Sequence, residues 1–304
     1  MQKKLIAAAK IAVTLGLVWV IYRYFVHIDN PAAIWNSLSH FSPLWLFLGI
    51  LSSFVNWGIE AKKWQILILQ LEHLPFKTAF KSTLTGTAVS NIFPFKVGEY
   101  LGRIMYLSPE NRIPAAVNSI AGSTIQLMVS IAFGIPAIFS IADQEKYRWV
   151  GAAAIAALVI IPLAMFVVFY ALQRRTFKHT WLQKIQEDIR KFTRTQFLHA
   201  ILLSAARYLV FASFYVYLLY QCGISQNIPY LYAGVATVYL LQSFAPGMII
   251  TDAGLRTGLP LLVFQVPTHL QATLLAAAIF NYVINLLLPS VVGLFFIIVQ
   301  KIKR

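Results

Sequence analysis

The chain has 304 residues, of which 59% are hydrophobic and 12% charged, against roughly 45–50% and about 25% in an ordinary soluble domain. Ten acids and twenty-five bases arranged in clumps cannot furnish the charged surface that a water-soluble protein of this length needs, so most of the chain has lipid as its solvent. The formal charge of +15 is compatible with nucleic acid, anionic lipid or the inner loops of a membrane protein. The bases interrupt apolar runs and form no continuous stripe, which argues for lipid and against nucleic acid.

A membrane-crossing helix takes about 20 mostly apolar residues. In chain order, the first candidate covers residues 5–26. Lys3 and Lys4 precede it as in a signal peptide, but no convincing small-x-small cleavage site follows, so it reads as a mature span. The second covers 43–69. The stretch 76–107 is interrupted at Asn91, Pro94, Lys96 and Gly98; proline lacks the amide donor and glycine frees the backbone, so it reads as two short helices joined by a turn. Spans three and four cover 114–141 and 149–172. Residues 180–195 carry Trp181, Leu182, Ile185, Ile189 and Phe192 at helical spacing, with charges on the remaining face. This predicts a cytoplasmic amphipathic helix lying on anionic inner-leaflet lipid. The fifth span covers 196–220. A second interrupted stretch, 230–264, breaks at Ser243, Pro246, Gly247, Thr251 and Asp252, and the sixth span covers 269–300.

Orientation follows the basic residues. Cytoplasmic termini place Lys77, Lys81, Arg112, the run from Arg174 to Arg194, and the tail Lys301, Lys303 and Arg304 on the inside. The outer loops are then 27–42, 142–148 and 221–229, with few bases or with bases offset by acids.

The two interrupted stretches share a design. Pro94 is followed by Glu99 and, at i+4, by Arg103; Pro246 is followed by Asp252 and, at i+4, by Arg256. Three spans separate them, an odd number, so a hairpin entering from one side is matched by one entering from the other. The predicted fold is therefore an all-α polytopic membrane protein, a single integral domain of two inverted repeats, about 1–145 and 146–304. Each repeat has three spanning helices and one re-entrant helical hairpin, at 76–108 and 229–266. In transporters built this way, broken helices meet near the midplane and form the binding site.

Ionisable groups cost ~2.5–3.5 kcal/mol each in the bilayer on insertion scales and persist for function or in pairs. Glu99, Arg103, Asp252 and Arg256 stand out. An acid four residues before a base faces it on a helix. A structural reading has each pair simply pinning its hairpin; the functional reading adds the free amides beside each break, which with an arginine fork suit a phosphate or other anion. The carboxylates would orient the arginines or take up protons. Further substrate-binding candidates are Asn91 and Lys96 beside the first break, Gln242 and Thr251 beside the second, Asn281 and Asn285 sharing one face of the last span, and Arg207 in the fifth. Asn118, Ser119, Ser123 and Gln126 are secondary, with helix-to-helix hydrogen bonding as their ordinary role. Glu60, next to Lys62 and Lys63, reads as a residue of the inner boundary and ranks with Arg207 below the hairpin pairs. The lone Cys222 and six dispersed histidines predict no disulfide, metal or cofactor.

The motif of Asn91, Pro94, Gly98, Glu99 and Arg103 resembles the proline, Gly-Glu and downstream arginine motif in the transmembrane region of lysylphosphatidylglycerol synthases, a family that includes stand-alone flippase-like proteins. Pro246, Gly247, Asp252, Gly254 and Arg256 are similar to its second motif, with Asp252 before the glycine where a glutamate after it is expected. The resemblance implies lipid movement between leaflets. With nothing after Arg304, the aminoacyl-transferase chemistry of full-length synthases is expected to be absent.

The expectation is thus a flippase for an anionic amphiphilic lipid, a phospholipid or a polyprenyl-phosphate-linked one, in the cytoplasmic membrane, and not an enzyme. An integral-membrane enzyme acting on a lipid headgroup and a transporter of a small soluble ion are the rivals. No Walker-type motif is present, so direct ATP drive is not expected.

Overall fold

In the computed structural model, residues 31–90, 97–141, 193–243 and 249–302 are described. Every regular element among them is helical. Helix α1 is Pro31–Ser39, α2 Pro43–Ile68, α3 Phe76–Ser90 and α4 Val97–Ile104; a 3₁₀ turn, Pro109–Asn111, leads into α5, Arg112–Ile141. Then follow α6, Arg194–Gln221; α7, Ile228–Ser243; α8, Ile249–Phe264; α9, Thr268–Tyr282; and α10, Leu288–Ile302, the last two joined by a π-helical turn, Val283–Leu287.

Four of these elements are long and apolar enough to cross a bilayer: Pro43–Ile68, Pro109–Ile141, Arg194–Gln221 and Thr268–Val299. They are the second, third, fifth and sixth spans read from the sequence. Only 28–39% of each apolar window is buried inside the protein, and large side chains such as Phe47, Phe54, Leu198, Leu202, Phe295 and Ile298 face outward. Apolar bands of that extent need an apolar solvent. The chain is a polytopic membrane protein. The expected spans 5–26 and 149–172 lie outside the described residues, as does most of the amphipathic segment 180–195.

Local chemistry sets the helix ends. Ser42 caps α2 by accepting from the Leu44 amide at 3.3 Å, with Pro43 in the first turn. Thr193 and Gln196 form a reciprocal capping box at the start of α6, through Gln196 N to Thr193 Oγ1 at 3.2 Å and Thr193 N to Gln196 Oε1 at 3.0 Å. Residues 194 and 195 therefore belong to the span, not to the amphipathic segment. Helix α6 ends at Gly223, whose φ of +69° lets the Ile224 amide return to Leu219 O at 3.1 Å. Helix α1 occupies what reads from sequence as an outer loop. It packs on α9, with Ser37 Oγ 3.4 Å from Thr273 Oγ1; nine residues are too few for their periodicity to be decisive alone.

The two interrupted stretches form two pairs of short helices. In α3 and α4 the approach is very close: a Cβ built on Gly102 would lie 2.6 Å from Gly86 Cα, and one on Gly98 would lie 2.2 Å from Val89 O. In α7 and α8, Phe264 packs edge-on to the Gly234 backbone, and the Tyr230 hydroxyl donates to Phe264 O at 3.2 Å. Residues 91–96 and 244–248, which carry Pro94, Pro246 and Gly247, lie outside the described residues; Thr251 and Asp252 are helical, within α8. The larger apolar core gathers α5 to α9, with Val235, Leu259 and Leu274 at its centre; a second one gathers α2, α3, α5 and α6 around Trp64 and Ile68. The charged site lies where these two halves meet.

Outside the spans, Glu72 ties the loop after α2 to the start of α5. Its Oε2 accepts from Ser108 N at 3.1 Å and from Asn111 Nδ2 at 3.0 Å. Partial burial pushes its carboxyl up, but these hydrogen bonds outweigh that and hold it below the usual glutamate value. A lowered folded-state pKa means that the tie contributes fully above about pH 4.3 and is lost as pH falls through the lowered value. Protection of the Ser108 amide from hydrogen exchange, corrected for the intrinsic rate, is expected to fall on that acid limb in the wild type. In Glu72→Gln it should already be reduced at neutral pH and show no such limb; identical profiles would refute the assignment.

Candidate functional site

Helix α2 presents Asn56, Trp57, Glu60, Lys63 and Trp64 inward, a set spaced three, four and seven residues apart and therefore on one helical face. Glu60 is 3% exposed and Lys63 is 1% exposed. Two buried charges are tolerated only with close partners, and Glu60 has three. Its Oε1 accepts from Arg103 Nη2 of α4 at 2.8 Å, and its Oε2 faces Lys63 Nζ at 2.7 Å and Arg207 Nη1 of α6 at 3.0 Å. One carboxylate thus ties three helices together.

Each cation is held by further groups. Arg103 also pairs with Glu99, as the i, i+4 spacing predicts. Lys63 Nζ donates to Ser204 Oγ at 3.3 Å, and Arg207 Nε donates to Asn56 Oδ1 at 3.0 Å. The guanidinium groups of Arg103 and Arg207 lie over the Trp64 and Trp57 rings, at 5.5 and 5.1 Å from the centroids, where the ring quadrupole favours a cation. Trp57 is itself fixed by Nε1 donating to Asn285 O at 3.1 Å. That carbonyl is released because Pro289, four residues on, has no amide to offer it, and the π-helical turn accommodates the defect.

The cluster forms one wall of a cavity of about 220 Å³ between the two halves. Asn56, Trp57, Glu60, Lys63, Glu99 and Arg207 line that wall; Ser123, Gln126 and Ser130 of α5 extend it; Tyr208, Tyr215, Tyr239, Gln242, Arg256, Asn281 and Asn285 line the rest. Lys63, Arg103 and Arg207 face two carboxylates, Glu60 and Glu99, so among the described residues this cluster has one formal positive charge in excess and is electropositive.

Seven candidates named from sequence, Glu99, Arg103, Arg207, Gln242, Arg256, Asn281 and Asn285, are at or immediately behind this cavity. Asn281 and Asn285 share a face as predicted, with Asn285 Nδ2 donating to Asn281 Oδ1 at 2.8 Å. Asn91 and Lys96 lie outside the described residues, as do the side chains of Thr251 and Asp252. Arg103, expected to grip an anion directly, is 1% exposed, donates through Nη2 to both Glu60 and Glu99, and keeps a buried Nε without a partner. Glu60, ranked from sequence below the hairpin pairs, is the hub of three ion pairs. The available signal was its place on one face with Asn56, Trp57, Lys63 and Trp64, which its neighbour Lys62 obscures. Asn118 takes the ordinary role, donating to Leu67 O at 2.8 Å between helices. The tyrosines were missed because aromatic side chains in apolar spans usually just pack.

The family model of the lysylphosphatidylglycerol synthase TM region matches residues 7–299. The chain belongs to this family. The match takes in both halves of the cavity and every helix that lines it, and membership connects the protein to membrane lipid. Comparison with curated proteins gives no match.

Proposed function

We propose that this protein moves an anionic amphiphilic lipid, a phospholipid or a polyprenyl-phosphate-linked one, between the leaflets of the cytoplasmic membrane, without covalent chemistry. The observation that supports this reading most directly is the electropositive, polar cavity set behind apolar outer faces. A headgroup would enter the cavity while its tails stay in lipid. The helix pairs α3–α4 and α7–α8 would be the re-entrant hairpins of two inverted repeats, entering from opposite faces, with both termini cytoplasmic.

The cations divide the work by accessibility. The Arg207 side chain is 22% exposed, against 2% for Arg103 and 1% for Lys63. Arg207 meets a ligand first, and a phosphate oxygen would compete with Glu60 Oε2 for its guanidinium. Arg256 also lines the cavity. Glu60, relieved of one partner, still holds Lys63 and Arg103, so the wall survives the exchange of partners.

In liposomes containing the purified full chain, labelled phosphatidylglycerol, phosphatidic acid and polyprenyl phosphate are expected to exchange between leaflets faster than in protein-free liposomes, and phosphatidylcholine to lag behind. Arg207→Ala should slow that exchange about tenfold or more, the loss of one charge-assisted contact. Exchange no faster than in protein-free liposomes, or an Arg207→Ala variant as fast as the wild type, would sink the proposal.

A further inference from the structure

The ion cluster holds more positive charge than it can pair. Among the described residues three cations, Lys63, Arg103 and Arg207, have two carboxylates between them, and two of the cations share one oxygen: Glu60 Oε2 lies 2.7 Å from Lys63 Nζ and 3.0 Å from Arg207 Nη1. An excess charge in a desolvated place is costly, and the ordinary relief is for one group to become neutral.

Chemistry leaves one choice. A guanidinium keeps its proton wherever proteins stay folded, whereas the ammonium of a buried lysine can release one. With Lys63 neutral, the two arginines and the two carboxylates balance. Its second partner suits both forms, since Ser204 Oγ lies 3.3 Å from Nζ on a residue with no exposed surface, and a hydroxyl accepts from an ammonium or donates to an amine. The charges that act on Lys63 are those of Glu60, Arg207 and Arg103. Of the other elements packed on α2, helix α5 carries Arg112, which donates to Leu107 O; α3 carries Lys77 and Lys81, the latter over the Phe296 ring; the π-helical turn carries no charge.

An anion in the cavity changes this balance twice. Its charge cancels the excess, and by drawing Arg207 away from Glu60 Oε2 it leaves that oxygen to Lys63 alone. Both effects favour the charged amine. We propose that Lys63 is the proton carrier of this site: anion entry and protonation of Lys63 favour each other, so that wherever the empty site has released this proton, an anion takes one up as it binds. The proton passes from solvent to Glu60 Oε2, which the 22% exposed Arg207 side chain links to the cavity, and on to the lone pair of Nζ; no bond to the ligand forms. This rests on reading the cavity as an anion site, and by reciprocity it makes release of the anion a release of a proton.

The test is calorimetric binding of phosphatidylglycerol, whose phosphodiester charge is fixed, to the purified full chain in two buffers of different ionisation enthalpy. The difference in heat counts the protons taken up. The wild type is expected to take up about half a proton or more per anion near pH ~8, with affinity falling by up to about tenfold per pH unit between about pH 7 and 9. Lys63→Arg holds a charge that cannot leave and Lys63→Met has none to give, so both should bring the count to zero and flatten the profile, whatever their affinity. Lys62→Met, at the exposed neighbour, should retain the count. The wild-type readings stand independently of how any variant folds. No proton uptake by the wild type across that range, or uptake that survives either Lys63 substitution, would overturn the proposal. Absence of phosphatidylglycerol binding overturns it together with the anion-site reading. Uptake without leaflet exchange ends the transport reading and leaves this one standing; leaflet exchange with proton-free binding does the reverse.

Discussion

Replacing Glu60 by alanine is expected to lower the stability of the folded protein by about 3–5 kcal/mol, the cost of breaking a buried ion pair by removing one partner. The reason is arithmetic of charge in a desolvated place. Lys63 and Arg207 both rely on Glu60 Oε2, and Arg103 on Oε1. Without that carboxylate, Glu99 is the acid left to the cluster among the described residues, and it reaches Arg103. Glu60→Gln should be milder than alanine, since it keeps an oxygen and the shape of the side chain. Adding Lys63→Met to Glu60→Gln should recover part of the loss, because the two charges then leave together, and a double-mutant cycle over these variants isolates the coupling. Thermal unfolding of the purified protein is the measurement. An alanine variant that melts with the wild type, or a pair of substitutions that simply add, would mean that Glu60 is not the hub.

Placing a side chain at Gly102 is expected to disrupt the site from behind. A Cβ there meets Gly86 Cα at 2.6 Å, Gly86 N at 2.7 Å and Thr85 O at 2.8 Å. All three are backbone atoms, so no rotamer change relieves the clash, and α4 must move away from α3. Arg103 is the next residue and moves with it, away from Glu60. Overpacking commonly costs ~1–3 kcal/mol; Gly102→Val should reach the upper end or beyond, with Gly102→Ala between it and the wild type. Gly254 is the control: a Cβ at that position on α8 meets nothing within 4 Å, and Gly254→Ala should be neutral or gain up to ~1 kcal/mol from helix propensity. Melting temperatures in the order Gly254→Ala, Gly102→Ala, Gly102→Val are expected, with leaflet exchange falling in the same order. Indistinguishable alanine variants would refute the close-packing argument.

Much was legible in the chain before any coordinates. Runs of about 20 apolar residues state their solvent by length alone, and the second, third, fifth and sixth spans lie where that count puts them. Proline and glycine in the two interrupted stretches predict pairs of short helices, and α3–α4 and α7–α8 are such pairs; the i, i+4 spacing of Glu99 and Arg103 lets them face each other. These are local facts, and local sequence carries them.

The partnership of Glu60 was decided by tertiary structure. Arg103 and Arg207 lie 43 and 147 positions away along the chain, and no periodicity within α2 can say which distant cations will converge on it. The same holds for Tyr208, Tyr215 and Asn285, each with a buried side-chain oxygen that has no hydrogen-bond partner, since whether a polar group in an apolar span finds a partner depends on what the neighbouring helices place opposite it. The amino-acid sequence by itself set the solvent, the helices and their breaks, because hydrophobicity and backbone chemistry act over a few residues. Which charges meet, and what they leave open in the middle, was settled by packing, because burial makes an ion pair obligatory only once the helices have come together.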